Sequence, residues 1–203
     1  MEAIVKGMTF PFTIPQGFRI TSEQFEQLAE VEQLARLELT ANGELIVMSP
    51  TGGTAGGKNF NLYIDIGIWN RQTRLGKAFD SSTIFALPNG ARRSPDVSWI
   101  VLERWNQLTQ AQQDGFPPIA PDFVIELVSP SDLKNQRYRD LQAKMNEYLD
   151  NEVNLGWLIE PSAKTVEIYR LGQPVEILNN PQSLSGEDVL PGFTLELTEI
   201  FTA

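Results

Sequence analysis

Three residues of this 203-residue chain have the types and settings for chemistry at a hard cation: Asp96 in "SPDVSWI", Glu126 in "PDFVIELVS" and Lys144 in "DLQAKMNEYLD". An acid inside an apolar run is costly to bury, so it needs a partner, a proton or a metal. Two carboxylates can hold a divalent cation that polarises a phosphoryl oxygen and lowers the pKa of bound water. An ammonium beside them can orient the nucleophile or steady developing negative charge. Together these groups suit metal-assisted hydrolysis of a phosphodiester. A blander account is also open: Asp96 caps the turn after Pro95, Glu126 pairs with an arginine, and Lys144 pairs with Asp140 four residues earlier on a helix.

Composition narrows the chemistry. The chain has no cysteine and no histidine, which removes thiol nucleophiles, Ser-His triads, disulfides and the usual zinc sites. Any metal must be held by oxygen, which favours Mg²⁺, Mn²⁺ or Ca²⁺. A formal charge of -10 argues against wholesale wrapping of nucleic acid. The few cations are grouped, as Arg71, Arg74 and Lys77, as Arg92 and Arg93 before Asp96, and as Lys134, Arg137, Arg139 and Lys144 after Glu126. Such groups are either contacts for an anionic partner or solvated helix faces. An apolar fraction of 41% and a charged fraction of 21% are those of a folded globular chain. No apolar run approaches a bilayer span and the N-terminus has no signal pattern, so the expectation is a soluble, cytoplasmic protein without a membrane partner.

The elements that must position the three residues can be read from pattern. After an extended arm over 1–20, "TSEQFEQLAEVEQLA" opens with Thr21 and Gln24 in capping-box spacing and predicts a helix. "RLELTANGELIVMSP" alternates on both sides of Asn42-Gly43, a hairpin signature. "NFNLYIDIGIWNRQTRLG" has helical length, with Phe60, Ile64 and Ile68 on one side and Gly76 as its stop. Strands follow around a second Asn-Gly turn, then a short exposed segment over 104–115. "DFVIELVS" is apolar enough for a central strand covered on both faces. Alternation puts Glu126 on one face with Val124 and Val128. In the helix that follows, Tyr138, Leu141, Met145, Tyr148 and Leu149 form the apolar stripe, with Lys144 about 60° from Leu141 on its border. "LGWLIEPSAKTVEIYR" predicts a hairpin turning at Pro161 and Ser162. The sum is one mixed α/β domain over 1–203, in which strands 96–102, 122–128 and 155–160 share a sheet.

"SPDVSW", "PDFVIELVSPSD", "KMNEYLDN" and "LGWLIEP", in that order and spacing, resemble the Uma-type family of bacterial restriction-endonuclease-like proteins, from about Phe25 to Phe201. The resemblance implies a restriction-endonuclease-like fold, a central mixed sheet flanked by helices with an N-terminal helix and hairpin added, and a site of the PD-(D/E)xK type. By that analogy Asp96 and Glu126 are the metal-binding and catalytic acids, with Mg²⁺ or Mn²⁺ as cofactor and DNA as substrate. Val128 stands where the general motif has its lysine, and Lys144 is the matching position on the helix. The segment "MSPTGGTAGGKNF" lacks the histidine that many relatives carry there. Glu44 is a possible accessory acid, and Arg92, Arg93 and Arg137 are candidate nucleic-acid contacts. A homo-oligomer, a dimer, is the expected assembly. Two other functions compete: a nuclease-like module that binds nucleic acid or protein without cutting, and an oligomeric scaffold with a vestigial site.

Overall fold

The computed structural model describes residues 17–31, 36–48, 50–130, 132–133 and 137–202. Most of the expected N-terminal arm, and Lys134, lie outside them. Helix α1 (Ser22–Val31) begins with the expected capping box: the Thr21 N–H donates to Gln24 Oε1 at 2.9 Å, and the Gln24 N–H donates to Thr21 Oγ1 at 3.2 Å. Strands β1 (Arg36–Leu39) and β2 (Leu45–Met48) form the hairpin, turning where Gly43 takes φ +80°. Helix α2 (Gly53–Thr73) leads to β3 (Gly76–Asp80), β4 (Phe85–Ala86), β5 (Arg92–Arg93) and β6 (Val97–Val101). The stretch expected to be merely exposed holds two short helices, α3 (Leu102–Trp105) and α4 (Gln110–Asp114), the second started by a Thr109–Gln112 capping box. Then come β7 (Phe123–Leu127), α5 (Arg137–Asp150), β8 (Leu155–Glu160), β9 (Thr165–Arg170), β10 (Glu176–Asn179), β11 (Ser183–Ser185), β12 (Thr194–Glu196) and α6 (Thr198–Thr202).

Six strands form the main sheet in the order β10-β9-β8-β7-β6-β3, with β7 and β8 parallel and the other pairs antiparallel. The three strands predicted to lie together are its neighbouring members β6, β7 and β8. Strand β7 is buried along its whole length, as its continuous apolar run required. Its two faces divide as alternation demands. Phe123, Ile125 and Leu127 pack with Leu62, Ile66 and Trp69 of α2, while Val124 and Val128 pack with Met145 and Tyr148 of α5. A second sheet, β2-β1-β5-β4, adjoins the first where β5 runs into β6.

One expectation is refined here and one corrected. Phe60, Ile64 and Ile68 do share a side of α2, but it is the outward one, 62%, 40% and 51% exposed; Leu62, Ile66 and Trp69 face the sheet. Apolar residues on both sides left the periodicity ambiguous, and the Trp69 ring, set edge-on 5.5 Å from Trp99, decides the orientation. Gly76 is not the helix stop. Arg74 caps α2 in the left-handed region at φ +57°, and Gly76 lies in β3 because a Cβ there would sit 2.4 Å from the Trp99 ring.

A glycine also bears on the height of α5. At Gly156 of β8 a Cβ would meet the flexible end of Met145 at 2.6 Å and Val124 Cγ2 at 3.2 Å, so glycine eases the close approach of the helix to the sheet. That closeness brings Lys144, the residue before Met145, down to the strands. Among the described residues no helix is long and apolar enough to cross a membrane.

Candidate functional site

Lys144 is 8% exposed, so its position on the border of the apolar stripe has become an interior one. Its Nζ donates to Glu126 Oε1 and to Glu38 Oε1, both at 2.8 Å, and approaches the Ser94 carbonyl at 3.4 Å. No ion pair joins it to Asp140 among the described residues. Glu126, on the α5 face of β7, is 4% exposed and accepts a second hydrogen bond on the same oxygen, from the Tyr148 hydroxyl at 2.9 Å. Its other oxygen receives no donor among the described residues.

Asp96 lies at the entry to β6, beside the C-terminal half of β7. Its Oδ2 accepts the Leu127 N–H at 2.9 Å, and its Oδ1 faces the Asn59 amide at 3.4 Å. The peptide N–H of the residue after Glu126 therefore ties the first acid to the strand that carries the second. The structure thus brings Asp96, Glu126 and Lys144 to one end of the main sheet.

Pattern reading missed Glu38. On β1, Leu37 and Leu39 turn toward Phe25 of α1 while Glu38 turns the other way, a position that alternation in a hairpin marks as solvent-facing. Here α5 and β5 cover that face and Glu38 is 2% exposed. It accepts from Lys144, from Arg93 Nη1 at 3.0 Å and from the Ser94 N–H at 3.0 Å. The one available signal was the next strand: β5 pairs with β1 and carries the cation that answers Glu38. Glu44, the acid expected from this hairpin, lies beyond the paired strands, bridged to Arg19, and touches none of these groups.

The cationic candidates separate. Arg93 is 6% exposed and spends its charge on Glu38 and on a short pair from its Nε to Glu147. Arg92 spends its charge on Glu26 at 2.9 Å. Arg137, at the start of α5, is exposed with no ion pair among the described residues.

Electrostatically the cluster holds more acid than base: Glu38, Asp96, Glu126 and Glu147 against Arg36, Arg93 and Lys144. Burial pushes Glu126 up to about 7, with Lys144 pulling it down and Asp96 and Glu38 pushing it further up. Burial also raises Asp96, against the Leu127 N–H and the charges of Lys144 and Arg36. Glu38 goes the other way: burial would raise it, but Lys144 and Arg93 overcome that and hold it low. Burial would lower Lys144, yet Glu126 and Glu38 raise it to about 12, so it is a fixed ammonium and no base at neutral pH. Tyr148 stays protonated, raised by burial and by Glu126.

Two neighbouring acids held above their ordinary range, Glu126 with an oxygen free of donors among the described residues and Asp96 with only the 3.4 Å Asn59 amide on Oδ1, suit a hard divalent cation. Among the described residues no group of three or more ligating side chains converges.

Comparison with known proteins bears on this arrangement. A family model, Uma2, described as "Putative restriction endonuclease", matches residues 22–198. Among solved structures, a "putative nuclease belonging to DUF820 from Anabaena variabilis" superposes with a TM-score of 0.73 at 23% identity, covering 90% of this chain and 97% of that one. That likeness gives the nuclease-like fold. Comparison with curated proteins finds no match.

Proposed function

The chain belongs to the Uma2 family, and from that membership we propose that it is a divalent-metal-dependent nuclease hydrolysing phosphodiester bonds in DNA. The observation that carries the reading is Lys144, an ammonium buried on the sheet between Glu126 and Glu38 with Asp96 alongside. A structural ion pair needs one acid for one base; the surplus acid here favours a cation.

Asp96 and Glu126 would hold Mg²⁺, or Mn²⁺ in its place. When bound, the cation supplies Lewis acidity toward the phosphoryl oxygen and a more acidic water. The rest of the work falls to the chain itself. Lys144 presents a permanent positive charge at the edge of the acids, where it orients the attacking oxygen or offsets charge on the phosphoryl group. Glu38 and Arg93 act through it: the buried pair fixes the lysine so that it does not reorganise during reaction. The Tyr148 hydroxyl keeps Glu126 Oε1 oriented and leaves Oε2 to face a ligand. The expected dimer belongs to this proposal, and sedimentation velocity reads it.

The test is cleavage of supercoiled plasmid and branched DNA with Mg²⁺ or Mn²⁺, against the Asp96→Ala variant. Metal-dependent cutting lost in the variant is the expected result. DNA binding that is indifferent to metal, with no cutting, would replace the enzyme by a binding module.

A further inference from the structure

Among the described residues Lys58 stands apart from the other buried cations. It is 8% exposed, in the second turn of α2, and no ion pair or hydrogen bond to its ammonium exists among the described residues. Arg93 and Lys144, whose charged groups are more deeply enclosed, have two acids each. Burial alone acts on Lys58 and lowers its pKa. The helix dipole is unfavourable too, because the N-terminal end of a helix carries partial positive charge.

Three further features surround it. Gly52 caps α2 with no side-chain hydrogen bond, so the amides of Gly53, Thr54 and Ala55 have no intrahelical acceptor. Gly52, Gly53, Gly56 and Gly57 would each carry a Cβ with nothing within 4 Å. Glycine costs about 1 kcal/mol per helical position relative to alanine, and packing within this chain does not call for it. Next to Lys58, the Asn59 side chain is 8% exposed with its Nδ2 toward Asp96 Oδ1, and its Oδ1 is buried without a partner. Lys58 stands one turn after the bare first turn, and Asn59 links the same stretch of helix to Asp96.

We propose that the N-terminal turn of α2, with Lys58 as its cation and Asn59 as its link to Asp96, is a subsite for a backbone phosphate of the nucleic acid, adjoining the scissile position. The proposal rests on the nuclease reading. A phosphate supplies the counter-ion Lys58 lacks, accepts from the free amides and needs the close backbone approach that the glycines leave open.

The test is binding of a labelled DNA duplex across a series of salt concentrations, with Ca²⁺ in place of Mg²⁺, by wild type, Lys58→Met and Lys58→Arg. Loss of one phosphate contact should weaken Lys58→Met about tenfold and reduce its salt slope by about one, while Lys58→Arg stays near wild type. The melting temperature of Lys58→Met without DNA should rise, since an unpaired buried charge has gone. Equal affinity and slope in wild type and Lys58→Met would overturn the subsite. If the wild type binds no duplex, the nuclease reading fails by itself and millimolar inorganic phosphate decides the subsite. A melting temperature raised by phosphate in wild type and not in Lys58→Met upholds it; equal responses overturn it.

Discussion

Two buried glutamates sit on the same face of the main sheet, under the same helix, and do different work. Glu126 on β7 is opposite Leu158 on β8, which is opposite Glu167 on β9, so the two acids are about 10 Å apart at ordinary strand spacing. Glu167, 5% exposed, accepts from three neutral donors: the Tyr138 hydroxyl and the Gln142 amide at 2.8 Å each, and the Tyr169 hydroxyl. Both of its oxygens are occupied, and among the described residues no ion pair reaches it. Glu126 has two donors on one oxygen, a lysine shared with Glu38, and a like charge in Asp96. Burial of an acid is therefore no mark of a site. The mark is burial with surplus charge and an oxygen left over.

The sharpest way to break this comparison is to remove one donor from each cluster. Lys144→Ala should lower the cleavage rate by about 10²- to 10³-fold while Mn²⁺ still binds, because the acids hold the ion. Tyr138→Phe, which removes a donor from Glu167, should leave the rate unchanged and cost about 1–3 kcal/mol of stability. Cleavage assays and denaturant melts at equal folded concentration separate the two.

Next in size is the hairpin pair. Glu38→Ala leaves Lys144 with Glu126 alone and Arg93 with Glu147 alone and should cost about 3 kcal/mol, the low end for breaking a buried ion pair; Glu44→Ala should stay within about 0.5 kcal/mol of wild type. Equal denaturation midpoints would show that Glu38 does not anchor the lysine.

A smaller effect is a pH dependence. Glu126 is raised from 4.5 to about 7 in the fold, so the folded state binds the proton more tightly than the unfolded one. Its contribution is fully present below about pH 4.5 and is lost as pH rises through about 7. Metal-free wild type should lose stability over that window and Glu126→Gln should lose less, while failing to bind Mn²⁺. Parallel melting curves for the two proteins from pH 5 to 8 would contradict the assignment. The smallest effect expected is at Arg137: Arg137→Ala should weaken DNA binding by a few fold and reduce the salt slope by about one.

Much of this was legible in the sequence where one physical demand dominated. The continuous apolar run of β7, the Asn-Gly turns and the Thr21–Gln24 box each admit few alternatives, and alternation put Glu126 on the face that α5 covers. Lys144 was legible as a border residue because a helix stripe fixes azimuth. Its burial was not, since that depends on how closely α5 approaches the sheet at Gly156 and on β1 supplying Glu38 from 106 residues away. Periodicity describes one element at a time, so it could not tell the solvent-facing side of β1 from a side covered by another layer. The same limit hid the orientation of α2, which is apolar on both faces, and hid the engagement of Arg93 by two acids.

A crystal of the full chain grown with Mn²⁺ tests the central claim most directly, because anomalous scattering locates the ion independently of any assay. The ion is predicted between the Asp96 and Glu126 carboxylates, at about the 2.0–2.2 Å typical of carboxylate-bound divalent metals, with Lys144 beside it and still in contact with Glu38. An ion bound elsewhere, or none at the acids with Lys144 still closing Glu126, would contradict it.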